Sequence, residues 1–421
     1  MEKFKTWAQT PPKGWNSWDS YGAAVTEKEI RQNAEYMKEN LIDYGYEYVV
    51  VDIQWYEPTA SSSIYNAFAD LEMDEYSRLM PAVNRFPSAE GNVGFKPLGD
   101  YIHSLGLKFG IHYMRGIPRQ AVHANTPLKG TDKTARDIAH YNSVCPWNTD
   151  MYGVDVNKEG AKEYYRSVID QFGEWGVDFL KVDDIADSKI YGGHVDEIAM
   201  LREVIDESGY DIVLSLSPGP ASLEHGAFLQ KNANLWRLTD DYWDNWNQLY
   251  DMFARCQKWA PFVQPGNWPD CDMLPLGHIG IRSVDGGGSD RYTRFTKEEQ
   301  RTMMTLWSLF RSPLMFGGEM TDNDEWTLEI LQNRDLIDMH ENGKNPTQVS
   351  RVDDIVIWKT TTNTNEWIAV FNLNDEDVSV EYDLADYVDS SKESVTEVFS
   401  NETLSQIKAD IKAHDVKLFK A

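Results

Sequence analysis

Short apolar runs that alternate with amphipathic segments restrict the fold of this chain more than any other feature. Between most of the runs, apolar residues recur at roughly helical spacing, as in 26–45, 158–176 and 297–312. Eight strand–helix repeats over roughly 330 residues predict a parallel sheet closed into a (β/α)8 TIM barrel, with an open doubly wound sheet as the alternative. The predicted strands are Lys13–Trp18, Tyr48–Gln54, Leu107–Met114, Val177–Asp183, Ile212–Ser217, Asn234–Thr239, Pro261–Gly266 and Pro313–Gly317.

The pattern changes near "ENGKNP" (341–346). Beyond it, segments such as "DDIVIWKTT" and "NEWIAVFNL" alternate apolar and polar residues with a period of two, which predicts an antiparallel β-sandwich. We therefore expect a barrel over 1–342 and a C-terminal β-sandwich domain over 343–421. Two long stretches, about 56–97 and 115–156, show neither strand nor helix pattern, and both follow predicted strands. In a barrel they would build the top face.

Charge and cysteine content exclude several classes of partner. The 68 acidic and 40 basic residues give a formal charge of −28, which argues against nucleic acid and anionic membranes as partners. A neutral substrate fits better, and the 15 Trp and 21 Tyr suit the flat apolar faces of sugars. The three cysteines have neither disulfide nor zinc spacing, and the N-terminus has no apolar signal core. We expect a cytoplasmic protein, unless a signal peptide has been removed.

Polar residues cluster where the predicted strands end. In a barrel these ends converge on one mouth, where barrel enzymes hold their active sites. Carboxylates with a Lys, an Arg and a Trp suit a sugar. Two carboxylates could cleave a glycoside, one by attacking the anomeric carbon and the other by protonating the leaving oxygen. The strand-end candidates are Trp18, Asp19, Asp52, His112, Lys181, Asp183, Asp184, Arg237, Asp240, Asp241, Asp270 and Asp272.

Competing sites have weaker patterns. "DGGGSD" (285–290) lacks the Walker lysine and the Rossmann spacing, so we interpret it as a loop rather than a phosphate cradle. The proline-rich segment after Ser217 is more simply a turn than a nucleotide site. The histidines at 103, 112, 123 and 140 do not have the spacing of a metal-binding helix, so we expect neither a metal nor another cofactor.

Taken together, the motifs resemble the α-galactosidase (melibiase) family of retaining glycoside hydrolases, glycoside hydrolase family 27, including its β-L-arabinopyranosidase branch. The resemblance covers most of the chain. It is carried by "PPKGWNSWDSYG" (11–22), "VVVDIQW" (49–55), "RFPSAEGNVGFKPLGDYIHSLGLKFGIHY" (85–113), "WGVDFLKVDD" (175–184), "LWRLTDDYWDNW" (235–246), "PGNWPDCDMLPLG" (265–277) and "RSPLMFGG" (311–318).

The resemblance implies a (β/α)8 barrel followed by an antiparallel β domain, and it implies specific roles. Asp183 would be the nucleophile and Asp241 the acid/base. The implied sugar ligands are Trp18 against the ring face, Lys181, Arg237 at the 2-hydroxyl, Asp52 of the family's Asp-Asp-x-Trp and Asp272 of its Asp-Met-Leu. The chain departs from the family pattern at His112, where a Tyr is usual, at Ser217, where many relatives have an acidic or bulkier residue, and at Ile53, where the family has a second Asp.

Ile53 determines the expected sugar, because an apolar side chain cannot accept the hydrogen bond of a 6-hydroxyl. We expect a retaining exo-glycosidase for small oligosaccharides or glycosides that favours β-L-arabinopyranosides over α-D-galactosides. A plain α-galactosidase or α-N-acetylgalactosaminidase is the alternative. A non-catalytic sugar-binding barrel and a metal-dependent barrel enzyme are more remote ones. The sequence leaves the oligomeric state open.

Overall fold

Eight parallel strands form the central sheet of the computed structural model, which describes residues 2–188, 190–283, 288–389 and 391–421. The strands are β1 (Lys13–Asn16), β2 (Tyr48–Val51), β3 (Lys108–Met114), β4 (Val177–Asp183), β5 (Val213–Leu216), β6 (Leu235–Arg237), β7 (Trp268–Asp270) and β8 (Leu314–Phe316). Their order is β7-β6-β5-β4-β3-β2-β1-β8. A parallel bridge between Leu274 and Phe316 joins the segment after β7 to β8, so the ring closes. The predicted barrel is confirmed, and the open sheet is excluded.

The strands consist of residues that suit a sheet covered on both faces. Val49, Val50 and Val51 of β2 are fully buried and β-branched. Neighbouring strands approach closely at Gly14, where a Cβ atom would lie 2.0 Å from the carbonyl oxygen of Tyr48. Only glycine can occupy this position without moving β1 away from β2.

Helices surround the barrel, with apolar faces toward the strands. Their first turns begin at identifiable caps: Thr26 and Glu29 form a capping box at the first helix, and Thr296 and Glu299 do so at the seventh. The main helices are α1 (Glu27–Asn40), α2 (Lys96–Ser104), α3 (Ala161–Glu174), α4 (Val195–Ser208), α5 (Gly226–Asn232), α6 (Trp246–Trp259), α7 (Lys297–Phe310) and α8 (Arg334–Asn342). Shorter α-helices span Trp18–Tyr21, Arg119–Ala124, Ala135–Ile138 and Glu325–Leu331. Short 3-10 helices span Lys3–Ala8, Gly22–Ala24, Ile42–Tyr44, Pro87–Ala89, Leu223–His225, Ala260–Phe262, Met320–Asp322 and Leu384–Asp386.

The predicted seventh strand, Pro261–Gly266, is wrong. Pro261 lies at the start of a 3-10 helix, where its missing N–H costs nothing. Gly266 follows in a turn with a φ of 85°. The strand begins two residues later, at Trp268, whose amide donates to the carbonyl of Asn234 at 2.7 Å.

The second long stretch, 115–156, was predicted to be irregular, and that prediction is also wrong. It contains a three-stranded antiparallel sheet of Ile117–Pro118, Ala139–Val144 and Met151–Val154. The strand Ala139–Val144 has no buried residue, so the alternation that identifies a half-buried strand is missing. In the first stretch, 56–97, the structure has only the 3-10 helix at 87–89, a Met73–Leu79 bridge and the start of α2. Residues 285–287 of the predicted glycine loop lie outside the described residues.

The C-terminal strands form a sandwich, as predicted. They are β9 (Lys344–Val352), β10 (Ile355–Thr361), β11 (Glu366–Asn372), β12 (Val378–Tyr382), β13 (Val395–Glu397), β14 (Glu402–Leu404), β15 (Ile407–Ile411) and β16 (Val416–Lys420). A sheet of order β9-β10-β11-β16-β13-β14 faces the pair β12–β15. Its other face packs on the barrel, where the Phe371 and Phe253 rings lie 4.9 Å apart. Helix α8 ends at Asn342 and β9 begins at Lys344; the domain limits themselves stay a prediction. A small two-stranded pair, His278–Ile279 with Arg291–Tyr292, belongs to the barrel loops.

Candidate active site

A pocket of about 880 Å³ opens where the barrel strands end. The family resemblance points to ten site residues, and six of them line this pocket: Trp18, Asp52, Ile53, Lys181, Asp183 and Asp241. The other four are buried next to them: His112, Ser217, Arg237 and Asp272. Residues from β1, β2, β4 and β6 therefore meet at one point because parallel strands of a barrel end on the same rim.

Asp183, the last residue of β4, is held by two donors. The His112 ring lies 2.9 Å from Oδ2 through Nε2, and the Asp184 amide donates to Oδ1 at 2.9 Å. His112 is fully buried, and its Nδ1 has no hydrogen-bond partner among the described residues. Burial favours the neutral acid, but His112 and the nearby Lys181 ammonium outweigh it, and the pKa of Asp183 lies below its ordinary value. Asp183 is therefore an ionised carboxylate at neutral pH.

Asp52 and Lys181 form a buried ion pair in the lining of the pocket. Lys181 Nζ lies 2.7 Å from Asp52 Oδ2, and the Asn16 amide donates to the same oxygen at 2.7 Å. Burial again favours the neutral acid, yet Lys181 lowers the pKa of Asp52 below its ordinary value. Lys181 keeps its charge, because Asp52 and Asp183 outweigh its burial and raise its pKa. The pair presents a fixed acceptor and a fixed donor to a ligand.

Ile53 follows Asp52 and also lines the pocket. Its amide donates to Asp52 Oδ1 at 2.8 Å, so the backbone fixes both side chains relative to each other. The Ile53 side chain is only 2% exposed and offers no hydrogen-bonding atom. The pocket wall is thus a carboxylate at Asp52 and a hydrocarbon side chain at the next residue, Ile53.

Arg237, at the end of β6, connects two carboxylates. Its Nη2 lies 3.2 Å from Asp241 Oδ1 and 2.7 Å from Asp272 Oδ2. Asp272 also accepts a hydrogen bond from the Tyr242 amide at 2.8 Å. The Asp241 side chain is 57% exposed and reaches into the pocket. Partial burial and the negative charge of Asp183 raise the pKa of Asp241, although Arg237 opposes the shift and the exposed part of the side chain limits the effect of burial.

Three rings form one side of the pocket, which we call the aromatic wall: Trp18, Tyr65 and Trp147. The Trp18 and Tyr65 rings are stacked with centroids 6.1 Å apart, and Tyr65 and Trp147 lie 5.7 Å apart. Tyr65 and Trp147 come from the two long stretches after β2 and β3, and sequence reasoning did not select them. The only sequence feature that could have identified them is an aromatic side chain within a long loop that follows a strand.

The remaining strand-end candidates have other environments. Ser217 is buried, and its hydroxyl donates to the Val182 carbonyl at 3.4 Å, while the adjacent Pro218 lines the pocket. Asp184 pairs with Arg115 at 3.0 Å, away from the pocket lining. Asp19 and Asp270 also lie outside the lining, whereas Asp240 is part of it. Among the described residues, no group of three or more His, Cys, Asp or Glu side chains could hold a metal ion.

An ionised carboxylate and a carboxyl group of raised pKa face one pocket. The same pocket contains an ion pair that can bind hydroxyls and an aromatic ring that can pack against the face of a sugar. On a closed parallel barrel this arrangement defines a glycoside hydrolase. A family model described as "Alpha galactosidase A" matches residues 10–157 and 153–342. The chain belongs to this family, glycoside hydrolase family 27, and is a glycosidase of the α-galactosidase/β-L-arabinopyranosidase type.

Solved and curated relatives agree with this assignment. A family 27 β-L-arabinopyranosidase from Geobacillus stearothermophilus is 60% identical, with a TM-score of 0.97 over 99% of this chain and 97% of that one. A D-to-A variant of the same enzyme was crystallised with arabinose and is 59% identical, with a TM-score of 0.97 over 99% of this chain and 98% of that one. The α-galactosidase of Cyamopsis tetragonoloba is 26% identical over 369 residues, covering 87% of this chain and 73% of the relative. None of the helices described here is long and apolar enough to cross a membrane.

Proposed function

We propose that this protein is a retaining exo-glycosidase that prefers β-L-arabinopyranosides and hydrolyses α-D-galactopyranosides more slowly. The observation that carries the proposal is the buried side chain of Ile53 in the pocket wall beside Asp52. A β-L-arabinopyranoside has the ring stereochemistry of an α-D-galactoside, with a hydrogen in place of the CH₂OH group. An apolar side chain can pack against that hydrogen.

Galactose would meet the same wall with its 6-hydroxyl. A buried hydroxyl without a partner costs about 1–3 kcal/mol. Apolar pockets reject an extra hydroxyl only moderately, so we expect a preference on the order of 10–100-fold in kcat/KM for the arabinoside. The relative from Geobacillus stearothermophilus, named as a β-L-arabinopyranosidase, supports this choice of sugar.

The proposed reaction is a double displacement. The Asp183 carboxylate attacks the anomeric carbon while Asp241 donates its proton to the leaving oxygen. Asp241, now ionised, takes a proton from water, and the water oxygen attacks the glycosyl–Asp183 ester. Two inversions retain the configuration. The lowered pKa of Asp183 and the raised pKa of Asp241 match these roles.

Within this mechanism, the surrounding residues bind the sugar. The Lys181–Asp52 pair and Arg237 offer charged partners to ring hydroxyls, and Trp18 offers its face to the apolar side of the sugar. His112 holds Asp183 through Nε2, and Ser217 lies beneath the pocket. A non-catalytic sugar-binding barrel would not need the carboxyl pair Asp183 and Asp241.

The test compares kcat/KM for nitrophenyl β-L-arabinopyranoside and nitrophenyl α-D-galactopyranoside. Replacing Ile53 by Asp should shift the ratio toward galactose by about 10-fold or more, since the carboxylate accepts the 6-hydroxyl. Ile53→Val is the matched control, because it keeps the apolar wall and should keep the preference. If the native enzyme prefers α-galactosides and Ile53→Asp leaves the ratio unchanged, the protein is a plain α-galactosidase and Ile53 only packs. Faster cleavage of the N-acetylgalactosaminide would indicate an α-N-acetylgalactosaminidase.

A further inference from the structure

We propose that the C-terminal sandwich takes part in the reaction by positioning the segment that carries Asp241, and that His414 is the positioning residue. The contact runs through helix α6, whose first residue, Trp246, stacks on the His414 ring. This role rests on the proposed function, because it takes Asp241 as the acid/base. It gives the sandwich a part in proton transfer as well as in stability.

The segment between β6 and α6 forms one wall of the pocket. Residues 238–245, all of which the structure describes, contain neither helix nor strand. Their conformation therefore depends on side-chain contacts and on the helix that follows. The residues of this region that line the pocket are Asp240, Asp241, Trp243, Asp244, Asn245 and Gln248.

Gln248, in the first turn of α6, connects this helix to the backbone of Asp241. Its side-chain amide donates to the Asp241 carbonyl at 3.2 Å and accepts from the Trp243 backbone amide at 2.7 Å. Asn245 caps the helix by accepting from the Asn247 amide at 2.9 Å. A helix moves as a stiff unit because its backbone hydrogen bonds are internal. A shift of the first turn of α6 therefore moves the Asp241 backbone with it.

One face of α6 lies against the sandwich. Trp246, Tyr250 and Phe253 are spaced by four and three residues, which places them on the same face of a helix. The Tyr250 hydroxyl donates to Asp354 Oδ1 at 3.0 Å, and the Phe253 ring packs on β11. Trp246 is the member of this set at the start of the helix, five positions after Asp241. Its contact with the sandwich is therefore the one most directly coupled to Asp241.

His414, between β15 and β16, is the partner of Trp246. The two rings are stacked, with centroids 3.6 Å apart and planes 10° apart. His414 Nδ1 lies 2.9 Å from Glu299 Oε1 of α7, and Nε2 lies 2.9 Å from Asp375 Oδ1 of the sandwich. The Thr302 hydroxyl donates to the His414 carbonyl at 2.7 Å. These contacts fix both the ring plane and the backbone, so His414 offers Trp246 a fixed surface.

Loss of this stack should displace Asp241 rather than remove it. A general acid must lie within about 2.6–3.2 Å of the oxygen that it protonates. A displacement of about 1 Å can cost roughly 100-fold in rate. Only substrates whose leaving group needs the proton respond to such a displacement. Asp183 ends β4, a different strand of the barrel, and does not depend on α6.

The experiment compares phenyl and 2,4-dinitrophenyl β-L-arabinopyranosides, which share the sugar and differ in the acidity of the leaving phenol. His414→Ala should lower kcat/KM roughly 10-fold for the phenyl glycoside and less than about two-fold for the dinitrophenyl glycoside, because only the former needs the proton. Trp246→Ala tests the same contact from the barrel side and should show the same split. The double variant should lose no more than either single variant. His414→Phe keeps a ring for stacking and should recover part of the loss.

Arg301→Gln is the matched control at the same domain boundary. Arg301 joins α7 to Asp415 of the sandwich through two hydrogen bonds. Its ion pairs are with Glu298 and Asp415, and neither residue belongs to α6. The control should lower the melting temperature and leave the ratio of the two substrates unchanged. Melting temperatures of all the variants separate a loss of stability from a loss of positioning.

Equal losses on both substrates in His414→Ala and Trp246→Ala, or no loss on either substrate, would overturn the positioning role. The same split in Arg301→Gln would also overturn it, since a weakened domain boundary would then be sufficient. If Asp241→Ala itself shows no split, the acid/base assignment fails and this role fails with it. A split in Asp241→Ala without one in His414→Ala overturns the role of the sandwich alone. If the sugar preference fails, the corresponding aryl α-D-galactosides give the same comparison.

Discussion

Asp183 and Asp241 carry the same side chain, and their surroundings shift their pKa values in opposite directions. Asp183 is 15% exposed and lies against His112 and near Lys181. Asp241 is 57% exposed, and partial burial together with the charge of Asp183 raises its pKa. These opposite pKa shifts fit the proposed roles, in which Asp183 attacks and Asp241 donates a proton.

Replacing Asp183 by Asn should remove several orders of magnitude from kcat and leave the fold intact, since the amide cannot attack the anomeric carbon. Steady-state kinetics with an activated arabinoside measure the loss, and thermal unfolding confirms the fold. A 2-deoxy-2-fluoro glycosyl donor should label the native enzyme at Asp183, as read by mass spectrometry of peptides. A label on another residue, or near-normal turnover by the variant, would contradict the assignment.

Replacing Asp241 by Ala should impair substrates with poor leaving groups far more than activated aryl glycosides, because only the former need a proton. Azide should restore turnover and yield a glycosyl azide of retained configuration. Native kcat/KM should fall as the pH rises through the raised pKa of Asp241, which must be protonated in the free enzyme. This alkaline limb should be absent in the variant. If Asp240→Ala behaves this way instead, the proton donor is Asp240.

At the scale of elements, a buried polar network ties the barrel to two of its helices. Arg115, just after β3, lies 3.0 Å from Asp184 and 2.9 Å from Glu197 of α4. The Tyr165 hydroxyl of α3 donates to Glu197. Burial raises the pKa of Asp184 to about 7, although the Arg115 guanidinium opposes the shift. The end of β4, next to Asp183, is therefore anchored by a carboxyl group whose pKa is raised.

This network makes stability depend on pH. A carboxyl group with a raised pKa stabilises the fold below its unfolded pKa of about 3.9 and loses that contribution as the pH rises to its folded pKa. For Asp184 this window ends at a pH of about 7. Asp184→Asn removes this titration. The free energy of unfolding of the variant, relative to that of the native protein, should therefore rise with pH by at most about 1.4 kcal/mol per pH unit. Urea unfolding at pH 4.5, 6 and 7.5 measures the difference. A difference that stays constant with pH would show that Asp184 is ionised throughout.

At the scale of the whole molecule, the C-terminal sandwich completes the core of the barrel. Alternate residues of β11 point to opposite sides: Trp367 and Phe371 pack with the barrel core, whereas Ile368 and Val370 pack with the sandwich core. Arg301 of α7 also binds Asp415 through two hydrogen bonds of 2.8 and 3.0 Å. One strand thus serves two hydrophobic cores, which couples the two domains.

We expect the full chain to unfold in a single calorimetric transition, and a chain ending at residue 342 to be unstable or insoluble. Truncation exposes rings such as Phe253 and Phe310, and each buried ring contributes about 1.5–3 kcal/mol. In the full chain, Phe371→Ala should cost about 3–5 kcal/mol of stability. Val352→Ala, at a position 66% exposed, is the control and should change stability by less than about 0.5 kcal/mol. A truncated barrel with the native melting temperature would contradict this coupling.

The sequence by itself determined the barrel, the sandwich and the family, because each depends on local periodicity or on residue motifs that remain together along the chain. Apolar runs such as Tyr48–Val51 need no partner to be recognised, and Asp183 and Asp241 lie at strand ends that every parallel barrel brings together. The seventh strand was misplaced because the residues around Pro261 are apolar, yet their backbone follows a helix and a turn.

Only the tertiary structure decided which loop residues join the strand-end residues in the pocket. Tyr65 and Trp147 lie 82 positions apart in the sequence on two loops without a repeating pattern, and the contact of their rings depends on how the loops cover the barrel mouth. The pKa shifts of Asp183 and Asp241 likewise depend on neighbours from other strands, His112 and Arg237 among them. Burial and charge act through space, over distances of a few ångströms that sequence separation does not report.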